Sequence, residues 1–318
     1  MKRRTILLSG ATGLLGSVLV REWADRHRLV ALSHHLQIDW PCVTALSADL
    51  AVPVEIEQII LESMPDVVVH AAAWTDVDAC ERNPERAMAI NAVASGRIAA
   101  AAARVGAACI YISTDSVFDG SRGSYSEMDP AHPVNVYSAS KLAGEGAVLS
   151  RHPSALVVRV SLEGWRPAGR PGFVQWVVEG LSRRDRLTVC TDWIRSVTFA
   201  SNLPAVLDEM WSKGLAGIYH VAPSQPLSNF ELAMMTADVF GLDSSGLVPI
   251  SGDSLKLSAR RPKNTSLDNR KMSGVIHSKL WEIADGLGAL KAERDSGALD
   301  QMRRAIVEKR HGAVHHAR

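Results

Sequence analysis

TILLSGATGLLG, residues 5–16, joins a short apolar run to three glycines that are spaced three residues apart. The apolar residues before Gly10 predict a buried strand. Apolar Val18, Leu19 and Trp23 follow at helical spacing, and they predict a helix over residues 17–27. Strand, turn and helix in this order are the first part of a parallel βαβ unit, so the chain is expected to have an α/β fold.

The glycine turn has the composition of a phosphate-binding loop. Glycine is needed where the backbone turns tightly, approaches a pyrophosphate, or lets helix and strand pack closely. The free N–H groups and partial positive charge of the helix N-terminus favour phosphate oxygens. The alternative is a tight turn that binds no ligand. We predict a dinucleotide cofactor held by Gly10, Thr12, Gly13, Leu14, Leu15 and Gly16.

The end of the second predicted strand, residues 29–32, bears on which dinucleotide binds. In an NAD site, an Asp or Glu at this position binds the 2′-hydroxyl of the adenosine ribose. Here Ser33, His34 and His35 follow the strand, and none is an acid. This favours NADP(H), with NAD(H) as the second candidate. Asp49 and Leu50 would lie near the adenine, although Asp49 could instead belong to a helix N-cap region.

Composition excludes several classes of protein. The 318 residues are 47% hydrophobic and 22% charged, which is ordinary globular composition and predicts two domains. The net charge of +1 implies neither nucleic acid nor an anionic membrane as a partner. No stretch approaches the roughly 18 apolar residues of a membrane span, and the first apolar run is too short for a signal peptide. We therefore expect a cytoplasmic protein, with buried thiols and no metal site.

Strand and helix patterns alternate along the first half of the chain. Residues 65–73 predict a buried strand followed by Ala71, Ala72 and Ala73, which would let the backbone approach a flat cofactor. Residues 84–105 predict one long helix capped by Asn83, and residues 107–112 predict another strand. The alternation predicts a Rossmann-type doubly wound parallel sheet over residues 1–160. It breaks afterwards, so residues 161–318 predict a smaller mixed α/β substrate domain, with segments that return to the first sheet.

YSASK at residues 137–141 places a tyrosine and a lysine at i and i+4, on one face of a predicted helix. A free tyrosine has a pKa of about 10, and a nearby ammonium lowers that pKa by favouring the phenolate. Tyr137 and Lys141 are therefore candidates for proton transfer near neutral pH. A surface helix that happens to carry both residues is the alternative.

Several motifs in the same order resemble the extended short-chain dehydrogenase/reductase superfamily: GATGLLG at 10–16, STDSVFDG at 113–120 and YSASK at 137–141. HAAAWTDVD at 70–78 and RPKNTSLD at 261–268 look like the dTDP-4-dehydrorhamnose reductase branch. The resemblance extends from residue 5 to residue 272. The family tends towards homodimers, and the sequence itself does not determine the oligomeric state.

This resemblance implies hydride transfer from a reduced nicotinamide to C4 of a 4-keto-6-deoxy sugar on a nucleoside diphosphate. Tyr137 would protonate the carbonyl oxygen, and Lys141 would lower the pKa of Tyr137 and bind the nicotinamide ribose. Thr114 would donate to the same oxygen, unless its hydroxyl only bonds its own backbone. Expected substrate contacts are Asp115, Phe118, Trp74 and Arg261. Arg261 would bind the pyrophosphate, or else would be a solvated loop residue.

Departures from the family pattern fall on the substrate side. Ser116 stands where the branch commonly has tyrosine, and DWIRSVT at 192–198 replaces the usual Asp-Gln-x-Gly-x-Pro-Thr run. These departures leave the identity of the sugar open. Two alternatives to the reductase also stay open. One is a regulatory subunit that resembles the methionine adenosyltransferase beta subunit, and the other is a nucleotide-sugar epimerase or dehydratase.

Overall fold

The structure of the protein is a computed structural model that describes residues 3–308, without the side chain of Pro53. The tail histidines at 311, 315 and 316, for which the sequence predicts no function, lie outside the described residues. The strands are β1 (Thr5–Ser9), β2 (Arg28–Ser33), β3 (Leu36–Ile38), β4 (Val43–Ser47), β5 (Val67–His70), β6 (Ala108–Ile112), β7 (Leu156–Arg159), β8 (Ser161–Glu163), β9 (Leu187–Cys190), β10 (Ile194–Arg195), β11 (Val197–Phe199), β12 (Gly217–His220), β13 (Leu227–Ser228), β14 (Leu247–Ile250) and β15 (Ile306–Glu308).

The helices alternate with these strands in the first half of the chain. They are α1 (Leu14–Trp23), α2 (Pro53–Ser63), α3 (Val77–Arg82), α4 (Pro84–Met88), α5 (Ala94–Arg104), α6 (Val136–Arg151), α7 (Phe173–Ser182), α8 (Leu203–Ser212), α9 (Asn229–Phe240), α10 (Arg270–Ser273), α11 (Ile283–Asp295) and α12 (Ala298–Ala305).

A seven-stranded parallel sheet in the order β12-β7-β6-β5-β1-β2-β4 organises the molecule. The predicted Rossmann-type fold is confirmed. The strand order reverses between β1 and β5, and ligands of open parallel sheets bind outside the carboxyl ends of the strands at such a point. Gly10 directly follows β1, and Ala71 directly follows β5. The fold therefore brings two predicted cofactor segments together.

Both faces of the sheet are buried, as a parallel sheet requires. Successive residues of β1 point to opposite faces. Ile6 and Leu8 belong to the cluster that also contains Leu19 of α1 and Leu207 of α8. Leu7 packs on the other face, in the cluster that contains Ile60 of α2 and residues of α5 and α6. Each fully buried aliphatic side chain of this kind contributes roughly 1.5–3 kcal/mol, so β1 is held firmly beneath the glycine turn.

The helix predicted over residues 84–105 is interrupted. A π-helical segment, Ala89–Val93, separates α4 from α5. Such segments accommodate an extra residue and recur at functional sites. Here it contains Asn91, whose Nδ2 donates to the Trp74 carbonyl and to Ser140 Oγ. Asn83 lies at the predicted N-cap position, but its side chain makes no capping hydrogen bond and donates instead to the Ala79 carbonyl within α3.

The chain beyond β7 forms small two-stranded sheets and helices that pack beside the large sheet. Two of these sheets pair β9 with β14 and β8 with β11, and a separate apolar cluster contains Trp165 and Phe199. β12 lies in the large sheet beside β7. The domain boundary at residue 160 stays a prediction. Three of the four cysteines are buried, whereas Cys42 is exposed, contrary to the expectation of buried thiols.

Candidate functional site

A cavity of about 650 Å³ opens at the carboxyl ends of the parallel strands. This volume is within the range of small-molecule and cofactor sites. Fifteen of the predicted site residues line it: Gly10, Thr12, Gly13, Leu14, Leu15, Asp49, Leu50, Ala71, Ala72, Ala73, Trp74, Thr114, Asp115, Tyr137 and Lys141. Residues spread over more than 130 positions of sequence are thus brought to one site.

The glycine loop forms one end of this cavity. Gly10 has a φ of +77°, and a Cβ there would lie 2.8 Å from the backbone nitrogen of Ala72. Gly16 does not line the cavity; a side chain there would overlap the carbonyl oxygen of Gly10, so its role is to let α1 pack on the loop. α1 begins with Gly13 as N-cap, without a side-chain hydrogen bond. Its first N–H groups are therefore available to phosphate oxygens, which fits a dinucleotide.

Ser33, His34 and His35 line the cavity beside Asp49 and Leu50. His34 Nε2 lies 3.4 Å from the carboxylate of Asp49. Asp49 also accepts a hydrogen bond from the backbone N–H of Ala51 at 2.8 Å. Asp49 therefore stabilises a local turn and also lines the cavity. The end of β2 contributes no acidic side chain to the cavity wall.

α6 presents Tyr137 and Lys141 to the cavity. Asn135 caps this helix by accepting a hydrogen bond from Ser138 N at 2.9 Å. Tyr137 is half-buried, whereas Lys141 is only 2% exposed. The Lys141 Nζ donates to the Ile112 carbonyl at 2.8 Å and lies 4.0 Å from the centre of the Tyr111 ring. Two residues of β6, Ile112 and Tyr111, thus hold the Lys141 ammonium in place.

The Tyr137 pKa is raised and not lowered, contrary to the expectation from the Tyr137–Lys141 spacing. Removal from solvent raises the pKa of the Tyr137 hydroxyl to about 12, against a smaller opposite effect of a hydrogen bond with Thr114. Burial lowers the pKa of Lys141 to about 7, and the Glu145 carboxylate opposes this. The physical reason is that both groups lose water, and that Lys141 directs its hydrogen bond to a backbone carbonyl.

Thr114 and Asp115 follow β6 and complete the reactive part of the cavity. The Thr114 hydroxyl accepts from Ser116 N at 3.2 Å and donates to Asp115 Oδ1 at 3.1 Å. Asp115 Oδ2 accepts from Thr265 Oγ1 at 2.5 Å. Burial raises the pKa of the Asp115 carboxyl, while its hydrogen bond with Thr265 lowers it. Thr114 therefore has the local backbone contact that was one alternative, and it also lines the cavity.

Two predicted substrate residues lie outside this cavity. Phe118 is fully buried, because its ring stacks on Tyr125 with 4.2 Å between the ring centres. Arg261 pairs with Asp78 at 2.8 Å and lines a second cavity, of about 380 Å³. The Arg261–Asp78 contact joins a loop to a helix far away in the sequence, and the Phe118–Tyr125 stacking lies within an irregular loop, so no periodic pattern predicts either contact. A substrate would have to extend into the second cavity to reach Arg261.

Some residues at the site carry no motif that would have indicated them. The cavity is also lined by Arg86 and Arg166. The Arg86 guanidinium lies 5.0 Å from the Trp74 ring centre, and the Arg166 charge slightly opposes the rise that burial causes in the Tyr137 pKa. Glu145 does not line the cavity, but its position four residues after Lys141 places both on one helical face. That spacing could have identified it.

Within residues 3–308, no group of three or more His, Cys, Asp and Glu side chains is arranged to hold a metal ion. In that same part of the chain, no helix has both the length and the apolar character needed to cross a membrane.

A glycine loop at the switch point of a parallel sheet, with a tyrosine and a lysine in the same cavity, defines a dinucleotide-binding α/β protein. More narrowly, the chain belongs to the RmlD substrate binding domain family, whose sequence model matches residues 4–293. The predicted family is confirmed.

Three relatives show the range of proteins this chain is similar to. It is 33% identical to the probable low-salt glycan biosynthesis reductase Agl14 of Haloferax volcanii, over 90% of this chain and 96% of the relative. It is also 33% identical to the dTDP-4-dehydrorhamnose reductase of Mycobacterium tuberculosis, over 93% and 95%. Methionine adenosyltransferase 2 subunit beta of Rattus norvegicus is 32% identical, over 85% and 81%.

Among solved structures, dTDP-4-dehydrorhamnose reductase from Bacillus anthracis in complex with NADP has a TM-score of 0.82 and 27% identity. The match covers 92% of this chain and 100% of that one.

Proposed function

We propose that the protein is an NAD(P)H-dependent reductase of the 4-keto group of a nucleotide-linked 4-keto-6-deoxy sugar. Its relatives include dTDP-4-dehydrorhamnose reductases, which supports this activity. The single observation that carries the proposal is the presence of Thr114, Tyr137 and Lys141 in one cavity with the glycine loop. Proton donor, second hydrogen-bond donor and cofactor-binding loop are the parts that a carbonyl reductase needs.

The bound cofactor would supply the hydride, and the chain would supply protons, orientation and charge. Tyr137 holds its proton at neutral pH, so it can donate that proton to the carbonyl oxygen as reduction proceeds. Thr114 Oγ1 would donate a hydrogen bond to the same oxygen, giving up its contact with Asp115. Lys141 would turn from the Ile112 carbonyl towards the cofactor ribose and stabilise developing negative charge on Tyr137.

NADP(H) is the preferred cofactor in this proposal, and NAD(H) is the second. The solved relative from Bacillus anthracis contains NADP. The end of β2 also lacks the acid that would repel a 2′-phosphate, and it offers His34 and His35 instead.

The substrate end of the cavity would hold the sugar and its diphosphate. Trp74 provides an apolar surface, Asp115 provides a hydrogen-bonding carboxyl, and Arg86 and Arg166 provide positive charge for phosphate oxygens. The backbone N–H of Arg166 donates to Gln175 Oε1 at 3.0 Å, which anchors its loop to α7. A cytoplasmic location and a homodimer stay predictions.

A regulatory subunit is the second candidate, because methionine adenosyltransferase 2 subunit beta is nearly as similar in sequence as the reductases. The presence of Thr114, Tyr137 and Lys141 in one cavity favours the enzyme.

The experiment is oxidation of NADPH and NADH with dTDP-linked 4-keto-6-deoxy sugars. We expect turnover by the wild type and a loss of about 10²–10⁴-fold in kcat for Tyr137→Phe, with unchanged NADPH affinity. Tyr219→Phe is the matched control, because Tyr219 lies on β12 and does not line the cavity. Tight dinucleotide binding without turnover of any nucleotide sugar would contradict the reductase and favour the regulatory subunit.

A further inference from the structure

A buried ion pair lies directly behind the Tyr137–Lys141 face of α6. Arg159 on β7 donates to Glu145 from Nε at 2.9 Å and from Nη2 at 2.7 Å, and Ser113 Oγ donates to the same carboxylate at 2.5 Å. Glu145 is 2% exposed and Arg159 is 3% exposed. Neither lines the cavity, so the pair cannot contact a ligand there.

The carboxylate of Glu145 is linked to Lys141 by the geometry of α6. The two residues lie one helical turn apart on the same face, and both are buried. The Glu145 charge is what opposes the effect of burial on Lys141. Ser113 connects the same carboxylate to the end of β6, one residue before Thr114 and one after the Ile112 carbonyl that holds Lys141.

The other groups around Lys141 cannot replace this charge. Tyr111 and Tyr137 hold their protons at neutral pH, because burial raises both hydroxyl pKa values. His70 is uncharged: burial lowers its pKa to about 3, and its ring nitrogens lie 2.6 Å from Ser9 Oγ and 2.9 Å from Ser95 Oγ. Asp115 already engages Thr114 and Thr265. Arg159 has the same sign as Lys141 and is neutralised by Glu145 itself.

We propose that Glu145, paired with Arg159 and oriented by Ser113, is a positioning residue that keeps Lys141 charged beside the cofactor. The inference rests on the proposed function, since it assigns Lys141 to cofactor binding. A lysine ammonium is costly to bury, and a nearby carboxylate offsets that cost. The Glu145 carboxylate is itself buried, and its pairing with the Arg159 guanidinium offsets the cost of burying that charge. The buried pair would then determine the pH range over which Lys141 works.

The test is the pH dependence of dinucleotide binding to wild type and Glu145→Gln, measured by nucleotide fluorescence between pH 5.5 and 10. NADH is measured beside NADPH, because it lacks the 2′-phosphate, whose own proton titrates at a pH of about 6. In wild type, affinity should fall as pH rises and Lys141 loses its proton. In Glu145→Gln, we expect the midpoint of that fall to move to lower pH by about one to two units.

The control is Glu163→Gln, because Glu163 is a second buried carboxylate paired with an arginine, Arg195, at 2.6 Å. It should lower the melting temperature without moving the midpoint. Glu145→Asp keeps the charge but withdraws it from Lys141, so its midpoint should lie between those of wild type and Glu145→Gln. This variant carries the test if Glu145→Gln does not fold.

An unchanged midpoint in Glu145→Gln or Glu145→Asp, with only a lower melting temperature, would overturn the inference and leave the pair a purely structural contact. The same holds if Glu163→Gln moves the midpoint as far as Glu145→Gln does. Failure to reduce any sugar would contradict the proposed function alone, because dinucleotide binding is measured without a sugar. Absence of binding by the wild type would overturn both.

Discussion

The two ends of the cavity differ in whether backbone or side chains form the wall. At the cofactor end, the wall is mainly backbone: Gly10 after β1 faces Ala72 after β5, across a gap that a single Cβ would fill. At the substrate end, the wall consists of side chains from a helix and from loops, among them Trp74, Arg86, Asp115 and Arg166. The first wall depends on the parallel sheet, whereas the second depends on how separate segments pack.

This difference explains why function can be read from local sequence at one end only. A backbone wall needs glycine and alanine at particular spacings, and those residues are visible in the chain. A side-chain wall can be assembled from any segment that reaches it. Ser116 lines this second wall, whereas Trp193, from the departing run at 192–198, lines the second cavity together with Arg261. The departures therefore lie away from the backbone wall, so the cofactor is predicted more sharply than the sugar.

The largest effect should come from filling the backbone wall. Gly10→Ala places a Cβ 2.8 Å from Ala72 N at a φ of +77°. We expect an increase of about 100-fold in the NADPH dissociation constant and a loss of about 3 kcal/mol in the free energy of unfolding. Gly146→Ala is the control, because a Cβ there meets nothing within 4 Å, and it should be neutral or stabilising. Equal effects of the two would show that the wall is not tightly packed.

Lys141→Met should weaken NADPH binding and raise the free energy of unfolding at low pH. Lys141 has a folded-state pKa of about 7 against an unfolded value of 10.5, so the unfolded chain binds more protons between these pH values. The destabilisation by Lys141 is therefore complete below pH 7 and disappears as pH rises to 10.5. We expect Lys141→Met to be more stable than wild type by about 2 kcal/mol at pH 6, a figure that already subtracts the cost of losing the hydrogen bond to Ile112. At pH 10.5 the variant should be no more stable than wild type.

Denaturant unfolding at several pH values measures this difference, and NADPH affinity is measured on the same samples. A stability gain that is independent of pH would mean that the packing of methionine, and not the lysine charge, is responsible.

At the substrate end, Arg166→Ala should raise KM for the nucleotide sugar by about 10–30-fold and leave NADPH affinity unchanged, because a charged hydrogen bond to phosphate would be lost. Arg261→Ala is the matched comparison, and its KM should stay within about threefold, because its guanidinium is already paired with Asp78. A larger increase in KM for Arg261→Ala would place the nucleotide in the second cavity.

The smallest effect concerns the adenosine end of the backbone wall. His34→Asp restores an acid at the end of β2, so the preference for NADPH over NADH, as a ratio of kcat/KM values, should fall about 10-fold. His277→Asp makes the same change at an exposed position outside the cavity and should leave the ratio unchanged. An unchanged ratio for His34→Asp would show that this strand end does not contact the ribose.

The strand before Gly10, the strand predicted at residues 107–112 and the shared helical face of Tyr137 and Lys141 follow from periodicity and spacing, and the structure agrees. The π-helical segment at Asn91 could not be predicted, since the alanine-rich sequence around it favours a regular helix. Its cause is tertiary, because the Asn91 side chain bonds to Trp74 and Ser140.

By itself, the sequence determined the order of strand, glycine turn and helix and the one-turn separation of Tyr137 and Lys141, because backbone periodicity and glycine conformation are local properties. Only the tertiary structure decided that Phe118 is buried, that Arg261 pairs with Asp78, and that Lys141 is enclosed with Glu145 and Arg159. These outcomes depend on contacts between distant segments and on the water those contacts exclude. The charge on Lys141 is therefore a property of the folded protein and not of the YSASK motif.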